Sequence, residues 1–161
     1  MAKNTIKLKK YLDVIEEYEA AAAITPGMLL KLDSDGKVQK HDSAQGTAIP
    51  MFALEDELQG KGIAEDYASG DRVQVWIAQR GEQVYALLKD GTSVAIGDYL
   101  VSDGAGALKK YVAVDESVNP DDTVAIETEH NVIVAQALEA MDLTQSTAKI
   151  DDFPRIMVRV V

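Results

Sequence analysis

Residues 70–110 read GDRVQVWIAQRGEQVYALLKDGTSVAIGDYLVSDGAGALKK. Val73, Val75 and Ile77 alternate with Arg72, Gln74 and Trp76, the period of two that marks a half-buried strand. Turn signals follow at short intervals: Arg80-Gly81, Asp90-Gly91, Gly97-Asp98 and Asp103-Gly104. Asp and Gly tolerate the positive φ that tight turns require. The stretch therefore predicts a run of short antiparallel strands, a meander with no room for a long helix. It carries nothing that resembles a catalytic apparatus.

The totals fit that reading. A chain of 161 residues suits one domain with an extra segment. It has no cysteine, which excludes disulfides, thiolate nucleophiles and cysteine-ligated zinc. Sixteen Lys and Arg stand against 27 Asp and Glu, a net charge of −11. Such a chain repels phosphate backbones, so no nucleic-acid partner is expected. The N-terminus has no apolar secretion signal, and no apolar run is long enough to span a bilayer. We expect an unexported chain with no membrane partner.

Outward from the central stretch, residues 1–23 stand apart. Lys3, Lys7, Lys9 and Lys10 form a basic tip; Asp13, Glu16, Glu17 and Glu19 then reverse the sign. Leu8, Tyr11, Leu12, Ile15 and Tyr18 fit a helical stripe, yet the same stretch also alternates as a strand. In either form it reads as an arm that needs a partner to order it, the alternative being an ordinary frayed terminus or a helix packed on its own core. Thr25-Pro26-Gly27 opens the folded part, residues 24–161. Met28 to His41 reads as a hairpin turning at Asp33–Gly36. An EF-hand loop starting at Asp33 would place Gly sixth and Glu twelfth, where Val38 and Ala44 stand, so calcium is rejected. Pro50 interrupts the apolar run Thr47–Leu54, predicting an edge strand or bulge. Glu55–Gly70 reads as an acidic loop with one helical turn. Thr123–Ile126 and Val132–Leu138 are strand candidates, the second apolar enough to be central. Arg155, Met157 and Arg159 alternate with Ile156, Val158 and Val160, predicting a final strand that must pair to be held.

The residues that chemistry needs are sparse. The histidines are His41 and His130, with no ligand set around either. No Gly-x-Ser-x-Gly elbow occurs, and Ser102–Gly106 lacks the Lys-Ser/Thr of a phosphate loop. We therefore expect no enzyme, no metal and no cofactor. Trp76 falls on the polar side of its strand beside Arg72: either a second layer covers that face as well, or the pair is a candidate interface, since Trp and Arg are enriched in binding hot spots.

The order of motifs adds a resemblance. Ile24-Thr-Pro-Gly27-Met-Leu-Leu-Lys-Leu32 comes first, then Asp35-Gly36, Ala53-Leu-Glu55-Asp56 and Gly70-Asp71-Arg-Val-Gln-Val75. Gly91, Gly97-Asp98-Tyr-Leu-Val-Ser-Asp103-Gly-Ala-Gly106, Ala137-Leu138-Glu139-Ala140 and the strand 155–161 complete the series. Across residues 12–161 the chain resembles the head decoration proteins of tailed phages. It is similar in particular to the β-tulip auxiliary capsid proteins of chi-like siphophages, akin to the lambda decoration protein.

The resemblance implies a mainly β, compact, β-tulip or barrel-like domain of short antiparallel strands with little helix, preceded by an extended N-terminal arm. It implies a homotrimeric structural virion protein, made in the host cytoplasm and bound to the major capsid protein. Its place would be the outside of the expanded capsid at three-fold and quasi-three-fold positions, where it stabilises the shell against internal DNA pressure. Residues 1–23 would be the capsid-binding arm, through Lys3, Lys7, Lys9, Lys10, Tyr11, Leu12, Val14, Ile15 and Tyr18. The alternative is another phage structural component, in a tail or baseplate, or an outward-facing adhesive β module.

Overall fold

The structure, a computed structural model, describes residues 4–9, 14–112, 132–144 and 154–161. The stretches Thr123–Ile126 and His130, singled out above, lie outside these residues. The described residues form thirteen short strands. They are β1 (Lys7–Lys9), β2 (Ile15–Glu19), β3 (Leu30–Leu32), β4 (Val38–Lys40), β5 (Met51–Ala53), β6 (Arg72–Ile77) and β7 (Gln83–Leu87). The rest are β8 (Ser93–Val94), β9 (Tyr99–Ser102), β10 (Leu108–Lys110), β11 (Ile133–Ala137), β12 (Met141–Asp142) and β13 (Arg155–Val160). One 3-10 turn, Glu57–Gln59, is the helical turn expected in the acidic loop.

The largest sheet runs β1-β7-β13-β11-β9-β10, with every neighbouring pair antiparallel. A second runs β2-β6-β5, and β3-β4 and β12-β8 pair separately. Single bridges, Leu29 to Phe52 and Ala20 to Val38, tie the β3-β4 hairpin to the second sheet. The domain is thus a stack of small sheets rather than a closed barrel.

The 70–110 stretch forms its strands but not a meander. Only β9 and β10 are hairpin neighbours. β6 belongs to the second sheet, and β7 lies between β1 and β13. The turns lead the chain from one sheet to another.

Four glycine turns along the chain share one construction. Gly27, Gly70, Gly81 and Gly97 have φ of 92°, 90°, 91° and 91°. In each, the residue after Gly donates its N–H to the carbonyl three residues back: Met28 to Thr25, Asp71 to Ala68, Glu82 to Gln79, Asp98 to Ala95. That residue's side chain also accepts the N–H of the residue whose carbonyl it binds. Asp71, Asp98 and Glu82 use a carboxylate oxygen; Met28 uses its sulfur, 3.4 Å from Thr25 N. Gly at the third position is what a type II turn demands. The side-chain acceptor closes the turn a second time.

Two apolar clusters lie back to back across β5 and β6. Phe52 and Trp76 face the larger cluster with Leu100, Leu108, Ile156 and Val158, under the six-stranded sheet. Met51, Ala53, Val73 and Val75 face a smaller one with Ile24, Leu30, Val38 and Tyr67, under the β3-β4 hairpin. Both faces of β6 are therefore covered. Burial at ~25 cal/mol per Å² of apolar surface makes such a doubly covered strand the mechanical centre of the domain.

Candidate interaction surfaces

The described part of residues 1–23 is built into the body. Ile6 is fully buried in the larger cluster, and Tyr85 N–H donates to its carbonyl at 2.7 Å. Lys7 and Lys9 lie in β1, the strand paired to β7. The Lys7 ammonium sits 6.0 Å from the centroid of the Trp76 ring, within the range of a cation–π contact. Tyr18 packs on the smaller cluster and its hydroxyl donates to the Glu16 carboxylate. That bond, with burial and the carboxylate's charge, raises the Tyr18 pKa. Val14, just before β2, and Ile15, its first residue, remain exposed, 37% and 40%, at the start of this outer strand of its sheet. Lys3, Lys10, Tyr11 and Leu12 lie outside the described residues.

Trp76 decides between the two readings of its strand face. It is fully buried, not an outward anchor. The polar side of β6 is polar only at Arg72 and Gln74; at Trp76 the N-terminal strand covers it. Arg72 is exposed and sits opposite Glu19 in the register. Its positive charge and, more strongly, a hydrogen-bonded ion pair with Lys37 hold the Glu19 carboxyl below its usual range.

A second surface combines residues from distant parts of the chain. Tyr111 donates its backbone N–H to Tyr99 at 2.8 Å, Gln136 lies opposite Tyr99, and Arg159 lies opposite Gln136. Directly opposed residues project from the same face. Four strand positions thus make one row, Tyr111, Tyr99, Gln136 and Arg159, roughly 14 Å long at ordinary strand spacing. Gln136 is fixed by donating Nε2 to Gly97 O at 3.2 Å. The row floors an open groove of about 700 Å³, closed at one end by Arg80, Gly81 and Val161. Gly81 N–H donates to Val160 O at 2.9 Å, which holds the Arg80 turn against β13. Neither Arg80 nor Arg159 has a carboxylate in ion-pair reach among the described residues. Sequence reading placed Arg159 on the polar side of its strand but had no access to the register that brings it beside two tyrosines.

The acidic loop is ordered by its own carboxylates. Glu55 accepts the Ile6 N–H at 3.2 Å, and Asp56 accepts that of Gln59 at 3.3 Å. Tyr67 donates its hydroxyl to Leu54 O at 3.0 Å. Burial, with the nearby charges of Asp56, Glu55 and Asp71, pushes its pKa up to about 12. Beyond these anchors, Glu57 and Leu58 project into solvent, Leu58 82% exposed.

His41 is buried and engaged. Its Nε2 lies 3.2 Å from the Thr47 carbonyl, which can only accept, so Nε2 carries the proton. Nδ1 then accepts from Ser102 Oγ at 2.8 Å, and Ser102 Oγ accepts from Gly104 N–H at 3.1 Å. The network holds three loops together. Among the described residues no three His, Asp or Glu side chains converge as a metal site would need. Nor, among them, is any helix long and apolar enough to cross a membrane.

No family model and no curated protein matches the sequence. Solved structures do match in shape. The chain is similar to the N base of the head fiber protein gp8.5 of bacteriophage phi29, with a TM-score of 0.54 and 12% identity. The match covers 93% of this chain and 95% of that one. At that identity the likeness is one of fold.

Proposed function

We propose that this chain is a structural protein of a phage head, bound to the outside of the capsid. The fold likeness to a head fiber base, running nearly end to end through both chains, is the observation that carries the reading. The order of turn and strand motifs, similar to that of head decoration proteins, supports it independently. So does a surface whose buried polar groups are spent on holding loops rather than on chemistry.

In its finer form the reading is a homotrimer that clamps the major capsid protein at three-fold and quasi-three-fold positions of the expanded shell. Residues 1–23 supply the capsid contact, as a strand-bearing edge rather than a free tail. Val14 and Ile15 offer apolar side chains along the outer edge of β2, and an exposed edge accepts a further strand through main-chain hydrogen bonds. The lysines of the N-terminal tip add charge complementarity. Several copies around one axis give avidity, because each further contact is intramolecular.

Co-sedimentation with expanded, DNA-free capsids and with unexpanded procapsids tests this. Saturable binding to expanded shells is expected. The double substitution Val14→Asp, Ile15→Thr, at exposed positions, should abolish it while the fold persists. Binding to tails instead of heads, or to neither shell, would overturn the reading.

A further inference from the structure

The groove over Tyr99, Gln136 and Arg159 has a chemistry at odds with the rest of the molecule. The chain carries a net charge of −11, yet this concavity presents two arginines and no acidic side chain among its lining residues. Its floor is apolar at Ile133 and Val132 and aromatic at the two tyrosines. It suits an occupant with an apolar tip flanked by negative charge.

Such a tip exists on the same chain, on another flank. The 3-10 turn Glu57–Gln59 raises Leu58 to 82% exposure, with the exposed carboxylate of Glu57 beside it and those of Glu65 and Asp66 on the same loop. The turn is rigid. Asp56 caps its start, and Gly60 ends it with φ of 73° and a bond to the Glu57 carbonyl. A pre-ordered knob loses little entropy on docking. The knob hangs beside the β1 edge of the six-stranded sheet through the bond from Ile6 N–H to Glu55. The groove lies over β9, β11 and β13, toward the opposite edge. Two complementary patches on different flanks are what head-to-tail contact between identical chains requires.

We propose that the groove receives the Leu58 turn of a second copy of this chain. Leu58 packs against Tyr99 and Ile133, and Glu57 pairs with the arginines Arg80 and Arg159. The contact is heterologous: every copy offers one knob and one groove, and a closed ring leaves neither unfilled. The inference rests on the reading of this chain as a self-assembling head protein and names the contact through which it assembles.

Sedimentation equilibrium of the full chain over a range of concentrations tests it. The wild type should self-associate, less tightly at high salt. Leu58→Asp, and Arg80→Glu with Arg159→Glu, should each weaken association roughly tenfold or more. All three side chains are exposed, so far-ultraviolet circular dichroism and the melting temperature should not move. Adding Glu57→Arg to the double arginine variant should restore association, because the reversed charges again face each other. A wild type that stays monomeric at its highest soluble concentration overturns the proposal. So does an oligomer indifferent to these substitutions, or a charge reversal that fails to rescue. Shell co-sedimentation on the same samples separates the two readings. Variants that still assemble and still pellet with shells sink the contact but spare the head assignment. A wild type that assembles through this contact but ignores shells does the reverse.

Discussion

Lys7 lies over Trp76, its ammonium 6.0 Å from the ring centroid, so the N-terminal strand roofs the chain's one tryptophan. Trp76 is fully buried, and its indole N–H has no hydrogen-bond partner among the described residues. An orphaned buried donor costs about 1–3 kcal/mol. Trp76→Phe keeps most of the ring and removes that donor, so the loss of packing is partly offset. We predict a destabilisation below about 2 kcal/mol for Phe, against about 3–5 kcal/mol for Trp76→Ala. Urea unfolding of the two variants would check the gap.

The turn glycines separate two costs. At Gly97, φ is 91° and an added Cβ would meet nothing within 4 Å. Gly97→Ala should therefore cost about 1–2 kcal/mol, the strain of a left-handed residue alone. At Gly104, φ is 85° and the added Cβ would lie 2.8 Å from the backbone nitrogen of Ala44. Gly104→Ala carries the same strain plus a backbone clash, and should melt several degrees below Gly97→Ala in a thermal scan.

Ser102 stands between His41 and Gly104 as donor to one and acceptor from the other. Ser102→Ala removes the partner of His41 Nδ1 and of the Gly104 N–H at a fully buried position. A loss of about 1–3 kcal/mol is expected, with faster amide exchange in the loops around Gly104 and Thr47. An unchanged exchange pattern would show that the network does not hold these loops.

Stability should fall at both ends of the pH scale. Asp98, bonded to Lys110 and to the Ala95 N–H, and Asp42, bonded to Lys31, have carboxyl pKa values lowered by folding. A lowered carboxyl contributes stability that is present above its unfolded pKa and lost as pH falls through the folded one. The melting temperature should drop as pH falls below about 4, and less steeply in Lys110→Met. Tyr67 works in the opposite sense. Its phenol stays protonated to about 12 when folded, so stability is lost as pH rises past the ordinary tyrosine value of about 10. Tyr67→Phe should flatten that alkaline limb while lowering the neutral-pH midpoint, since it forfeits the bond to Leu54.

The parts of this fold that depend on nearby residues are legible in the sequence. Alternation in 155–160 correctly buries Ile156, Val158 and Val160. Glycines 27, 70 and 97 stand out as turn-to-strand junctions because an apolar residue follows three positions later; Gly81, with Val84, has the same form. What depends on pairing is not legible. β7 sits between β1 and β13, elements some 70 residues away in either direction, and no local pattern specifies them. Trp76 looked outward because its strand alternates, but the cover over it comes from Lys7. The row from Tyr111 to Arg159 draws on four strands, and only the register, including the irregularity between Ile133 and Ala135, aligns them. His41 was visible as a residue but not as a clasp, because Ser102 is 61 positions away.

β13 occupies an interior slot of the six-stranded sheet, flanked by β7 and β11, yet it is synthesised after both. While the ribosome is still making the chain, that slot stands open and the sheet is two unconnected fragments. The edges of β7 and β11 that face the slot have no strand to pair with until residues 155–160 arrive. Assembly of the domain is therefore timed by the end of this segment's translation, and a ribosome that stalls before Arg155 would leave an aggregation-prone half-sheet rather than a smaller working domain.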